Sequence, residues 1–259
     1  MIQLKKEFKV ITMSTRRAKQ KQQQQLMIIG GGALAAVVVA AVAIFLISSG
    51  ANVDVCAVDD ESCYGEYIGV EQGFTEEGFA YIGSPDAPIM IGEVSDFACP
   101  HCVDYHPTLK RLINDFAKTG QARFVYMPVN WTGGNNSNVA AQAAYCAGEQ
   151  NAFWQFHDEL FELSDNEGPN SFDRDTLLSI AGDMGLDTDA MEQCMNNSRS
   201  RRAVSEAINI AQRSGVTGTP SILVSYDGGN TWQRLSNRDY SSVGAEILAA
   251  QPATSSDEE

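Results

Sequence analysis

The stretch APIMIGEVSDFACPHCVDYHPTLKRLINDFAKTGQARFVYMPV (87–129) decides the fold. Its opening, APIMIGEVSDFA (87–98), is a short apolar run suited to a buried strand, with Pro85 and Pro88 punctuating the entry. Apolar residues then recur at helical spacing, at Val103, Leu109, Leu112, Ile113 and Phe116, and Gly120 supplies a stop. ARFVYMPV (122–129) returns to strand character. Strand, helix and strand with a short return make the pattern of a parallel crossover unit.

Downstream, NVAAQAAYCAGEQNAFWQFHDELFEL (138–163) reads as one long helical stretch, followed by helical segments over 173–185 and 187–215. PSILVSYDGGNTWQRLSN (220–237) then carries the turn signal Asp227-Gly228-Gly229-Asn230 between two strands, and YSSVGAEILAAQ (240–251) closes as a helix. The order predicts an α/β fold with a helical insertion over about 136–214, in a domain spanning 79–251. Residues 252–259 read as a flexible acidic tail, and no internal repeat is visible.

Upstream, residues 48–78 are rich in Gly and acids without a sustained period and read as an acidic linker. Before them, LMIIGGGALAAVVVAAVAIFLI (26–47) carries no charge; as a helix it would span about 33 Å, a bilayer's hydrocarbon thickness. A core helix apolar on every face is the weaker reading. Lys5, Lys6, Lys9, Arg16, Arg17, Lys19 and Lys21 all precede this run, so 1–25 is expected to be a basic cytoplasmic tail. The chain is therefore expected to be a single-pass cell-membrane protein with its catalytic domain extracytoplasmic. A cleaved signal peptide, with Ser48, Ser49, Gly50 and Ala51 after the run, stays open, as does a start at Met13 rather than Met1.

The formal net charge is −15, and the basic residues cluster before the apolar run, so the remainder is strongly acidic. That excludes a nucleic-acid binder, which needs a basic groove. Six cysteines, Cys56, Cys63, Cys99, Cys102, Cys146 and Cys194, all follow the apolar run. An even count beyond a membrane favours disulfides over zinc.

Cys99-Pro100-His101-Cys102 carries the chemistry. A helix beginning at Cys99 or Pro100 suits proline, whose missing N–H costs nothing in the first turn. Cys99 would then sit at the positive end of the helix dipole among unpaired N–H groups, which favours thiolate over thiol. His101 can add positive charge or a donor. Cys102, one turn inward and buried, would be the resolving thiol that attacks the Cys99 sulfur to release a mixed disulfide. A stabilised thiolate makes the disulfide eager to be reduced, hence an oxidant. A zinc site would need two further ligands at matching spacing; His106 and His157 are isolated, so no metal is assigned.

GSPDAPIMIGEVSDFACPHC (83–102), together with GVTGTPS (215–221), resembles the DsbA-like thiol-disulfide oxidoreductases of the thioredoxin superfamily over roughly 79–250. The resemblance implies a thioredoxin-like fold with an α-helical insertion, preceded here by the single N-terminal transmembrane helix, and no cofactor. It places Thr219-Pro220 in a cis-proline loop that faces the cysteines and binds substrate. It makes Glu93 a buried acid beneath the disulfide, able to take the Cys102 proton; a surface acid is the alternative reading. Asp96 also matches the family pattern and is given no chemical role. Cys146 and Cys194, both in the helical block, are read as a structural disulfide, with buried free thiols as the alternative. Cys56 and Cys63 either close a small loop or are free or separately paired thiols.

The function expected is donation of the Cys99–Cys102 disulfide to exported thiol-containing proteins by a monomer, with a membrane reoxidant of the DsbB or VKOR type. The alternatives are a disulfide isomerase, a reductase for cytochrome or copper-site assembly, and a non-enzymatic copper- or peptide-binding module.

Overall fold

The computed structural model describes residues 57, 59–197 and 199–252. The expected tail 1–25, the apolar segment 26–47, the first part of the linker and residues 253–259 lie outside them. Among the described residues no helix is long and apolar enough to cross a membrane.

The crossover unit forms as the sequence implies. Strand β3 (Met90–Ser95) feeds helix α2 (Pro100–Leu112), which runs on into a π-helical turn at Ile113–Ala117. Strand β4 (Arg123–Pro128) then returns parallel to β3, with Gly92 opposite Val125. All six residues of β3 are buried, because it lies inside a six-stranded sheet. Strand β5 (Ser221–Ser225) runs antiparallel on its other side, and β6 (Gln233–Arg234) pairs with β5 after the Asp227–Asn230 turn, where Gly228 and Gly229 take φ of 73° and 95°.

Between β4 and β5 the chain makes five helices: α3 (Asn135–Gly148), α4 (Phe153–Glu167), α5 (Arg174–Asp183), α6 (Thr188–Met195) and α7 (Arg199–Arg213). Helix α8 (Tyr240–Ala249) ends the domain and packs on α2, as does α4. The stretch 138–163, read as one helical run, is two helices. The chain turns at Asn151, which takes φ of 61°, and Gly148 lies where a Cβ would come within 2.5 Å of the Phe74 ring.

A larger difference lies at 59–78, read as linker. Here the chain forms a short helix α1 (Glu61–Tyr64) and an edge strand β1 (Gln72–Phe74), paired antiparallel with β2 (Ala80–Ile82), which in turn pairs with β4. The sheet order is β1-β2-β4-β3-β5-β6. Tyr64 and Tyr67 fall into the core, at 2% and 1% exposure. The Tyr64 hydroxyl donates to Glu159, and that of Tyr67 to the Asp158 carboxylate at 2.8 and 2.9 Å. These acids belong to α4, so a segment without helical or strand period is fixed by tertiary hydrogen bonds instead.

Cys146 and Cys194 are bridged, tying α3 to α6. Cys63 is also disulfide-bonded, and Cys56 lies outside the described residues.

Candidate active site

Cys99 is the N-cap of α2 and Pro100 its first residue. The Cys99 carbonyl accepts from the N–H groups of Cys102 and Val103 at 2.9 and 3.1 Å, so the helix starts where the proline implies. Both cysteines are free thiols, Cys99 at 5% exposure and Cys102 at 0%. Register explains what faces them. The first residue of β5, Ser221, pairs with Val94 near the end of β3, so Pro220 arrives beside the start of α2. The Thr219–Pro220 peptide bond is cis, and the Thr219 carbonyl lies 3.7 Å from the Cys99 sulfur, which donates to it as a thiol.

The Cys99 thiol is lowered from 9.0 to about 5. The largest cause is a hydrogen bond from the Cys102 thiol. Burial pushes the other way; the Thr219 side chain and then the backbone N–H groups of Cys102 and His101 add to the lowering. The helix start thus contributes, as the sequence implies, but the neighbouring thiol contributes more. Cys102 goes in the opposite direction, pushed well above the ordinary thiol range by burial, by its bond to Cys99 and by the charge of Glu93. The two sulfurs are therefore chemically unequal: one leaves as an anion and the other holds its proton.

Glu93 lies on β3 at 2% exposure, and its Oε2 has no hydrogen-bond partner. Burial, with the charge of Cys99 adding to it, raises its carboxyl from 4.5 to about 8. A carboxylic acid with that affinity, in electrostatic contact with both cysteines, can exchange a proton with Cys102 near neutral pH.

The imidazole of His101 does not supply the donor expected of it. Its side chain is 75% exposed and sits 3.8 Å from Asp104; what reaches the Cys99 sulfur is the His101 backbone N–H. Asp96, given no chemistry from sequence, pins the loop before Cys99. Its carboxylate accepts from the N–H groups of Ala98 and Thr132 at 2.9 and 2.7 Å and from the Ser137 hydroxyl at 2.5 Å. Gly133 lets the two loops close, since a Cβ there would come within 2.5 Å of the Ala98 side chain.

His106 on α2 and His157 on α4, read as isolated, come together with Asp158, their ligand atoms within 4.8 Å of one another. The triad has the donors of a metal site, but Asp158 is already engaged. His106 Nε2 lies 2.7 Å from its Oδ1, Lys110 Nζ 2.7 Å from its Oδ2, and the Tyr67 hydroxyl donates to both oxygens. The ammonium of Lys110 already supplies this carboxylate with a cationic partner. Burial opposes ionisation of Asp158, but His106, His157 and Lys110 overcome it and hold the carboxyl well below the usual range. This network clamps α2 to α4 and to the segment around Tyr67.

The family model described as Thioredoxin matches residues 75–237. The chain belongs to the thioredoxin family. Among curated proteins it is 32% identical over 143 residues to the Na(+)/H(+) antiporter NhaA 1 of Salinispora arenicola, covering 55% of this chain but only 21% of that protein. It is 28% identical over 176 residues to a probable disulfide bond formation protein D of Bacillus cereus, covering 64% of this chain and 78% of that one. Among solved structures, alpha-DsbA1 of Wolbachia pipientis superposes with a TM-score of 0.57 at 20% identity, covering 68% of this chain and 92% of that one. That likeness is one of fold, a thioredoxin-like sheet with helices inserted between β4 and β5.

Proposed function

We propose that this thioredoxin-family chain is a thiol-disulfide oxidoreductase that works as an oxidase of exported proteins. The observation that carries it is the inequality of the two sulfurs. Cys99, lowered to about 5, is an excellent leaving group, so its disulfide is readily reduced. Names of relatives as disulfide bond formation protein and protein-disulfide oxidoreductase support the same activity.

In the oxidising direction a substrate thiolate attacks the Cys99 sulfur. The Cys99–Cys102 bond breaks, and Cys102 leaves and takes a proton from Glu93. The second substrate thiolate then attacks the substrate sulfur of the mixed disulfide and expels Cys99 as a thiolate. Two electrons pass to the Cys99/Cys102 pair and the substrate gains one disulfide. Run backwards, Cys102 is the resolving thiol. Thr219 and Pro220 border the groove in which an extended substrate would lie.

Residues 26–47 anchor the chain in the membrane with the domain outside, supported by the uncharged run and the basic residues before it. Two electrons and two protons then leave through a membrane oxidant, a quinone-linked protein of the DsbB or VKOR type. The reduction potential against a glutathione buffer tests the direction of the reaction. A value well above thioredoxin's, about −270 mV, is expected, and a value at or below it would reject the oxidase.

A further inference from the structure

Beside the cysteines lies a groove of about 320 Å³, bordered by His101, Thr217, Thr219, Pro220, Arg234 and Arg238. In a chain of net charge −15, no Asp or Glu lines it. Lys110, Arg111, Arg174 and Arg213 each meet a carboxylate elsewhere in the domain. Among the described residues Arg234 and Arg238, like Lys118 and Arg123, meet none within ion-pair distance, and of these Arg234 and Arg238 border the groove. Arg234 instead donates through Nη1 to the Gly215 carbonyl at 2.9 Å, which steadies its guanidinium at the groove. Asp239, next to Arg238, is committed to capping α8, accepting from Ser242 N–H at 3.0 Å and from the hydroxyls of Ser241 and Ser242. Two guanidinium groups without acidic partners, in a groove that also reaches Thr219 and Pro220, match a ligand that brings its own carboxylates.

We propose that Arg234 and Arg238 select thiol substrates in which Asp or Glu flanks the reacting cysteine, the segment lying extended along Thr217–Thr219. This rests on the oxidase reading above and adds a substrate class to it. The domain's overall acidity repels such a segment at a distance, but screening confines that repulsion to about 8 Å at physiological salt, and inside the groove the arginines are the nearest charges.

The test uses three peptides of equal length, each with one pair of cysteines flanked by Asp, by Ser or by Lys, reacting with the oxidised protein. Each rate is divided by the same peptide's rate with a small neutral disulfide, which removes differences in its own thiol reactivity. The Asp peptide is expected to react about fivefold faster than the Ser peptide at physiological salt, with the ratio falling towards one in about 1 M salt. Arg234→Gln with Arg238→Gln should abolish the ratio, and Arg→Lys at both positions should restore part of it. Equal normalised rates, or a faster Lys peptide, would overturn the proposal, and the wild-type comparison alone decides this. Dithiothreitol, oxidised in parallel by the wild type, separates the two readings. If dithiothreitol is oxidised but the peptides are not distinguished, only the selectivity fails; if neither is oxidised, the oxidase reading fails with it.

Discussion

Replacing Glu93 by Gln should change how stability depends on pH, with a sign fixed by burial. In the reduced folded protein the carboxyl titrates at about 8, against 4.5 as an ordinary side chain. Between those values the folded state holds the proton and the unfolded state has lost it, so stability falls as pH rises and levels off above about 8. At about 1.4 kcal/mol per pH unit the loss is about 3 kcal/mol by pH 7 and approaches 5 kcal/mol once Glu93 is ionised in both states. Glu93→Gln removes this dependence while keeping shape and volume. Urea unfolding of the reduced wild type and variant between pH 5 and 9 reads it directly. Groups common to both proteins cancel in the difference, and any fixed cost of burying the amide shifts the curve without tilting it. The variant should gain on the wild type by several kcal/mol across the range. A difference that stays flat within about 1 kcal/mol would refute a buried, neutral Glu93 and with it the proton route to Cys102.

Other outcomes follow from the same structure. Cys102→Ala should raise the Cys99 titration by about one to two pH units, since a hydrogen bond to a charged group is worth about 1.5–3 kcal/mol, while Cys102→Ser, which keeps a donor, should raise it less. Ultraviolet thiolate absorbance checks this, and an unchanged value would assign the stabilisation to the helix start. Removing the Cys146–Cys194 bridge, whose cysteines are 48 residues apart, should cost about 4 kcal/mol in chemical denaturation if its effect is on the unfolded chain. Asp158→Asn should cost about 1–3 kcal/mol, because Lys110 keeps Glu66 while the Tyr67 hydroxyl and His106 lose their shared anion. A loss under 1 kcal/mol would show that the clamp between α2 and α4 is dispensable.

The central β3-α2-β4 unit was legible in the sequence because two short apolar runs flank a stretch whose apolar residues recur at helical spacing. Cys99-Pro100 also marks its own helix start, through the fixed backbone of proline. The turn at Asp227–Asn230 was legible for the same kind of reason, since its glycines take φ values that favour glycine. Strands β1 and β2 were not, because each is three residues long and too short to show alternation. The burial of Tyr64 and Tyr67 depends on acids 95 and 91 residues away, a pairing that no local pattern records. Within the site, Cys99 and Cys102 could be read from the residues themselves, and Glu93 and Pro220 through the resemblance to the DsbA-like oxidoreductases. What could not be read was orientation: the outward turn of His101, the loop contacts of Asp96 and the Cys102 thiol as the strongest partner of Cys99. Those depend on side-chain geometry rather than on spacing.

The most direct measurement is the titration of Cys99 in the reduced wild type by thiolate absorbance, with Cys99→Ser as the blank. A midpoint near 5 is expected from the hydrogen bonds converging on its sulfur. A midpoint near 9.0, the ordinary thiol value, would contradict an anionic leaving group at the start of α2 and the oxidase built on it.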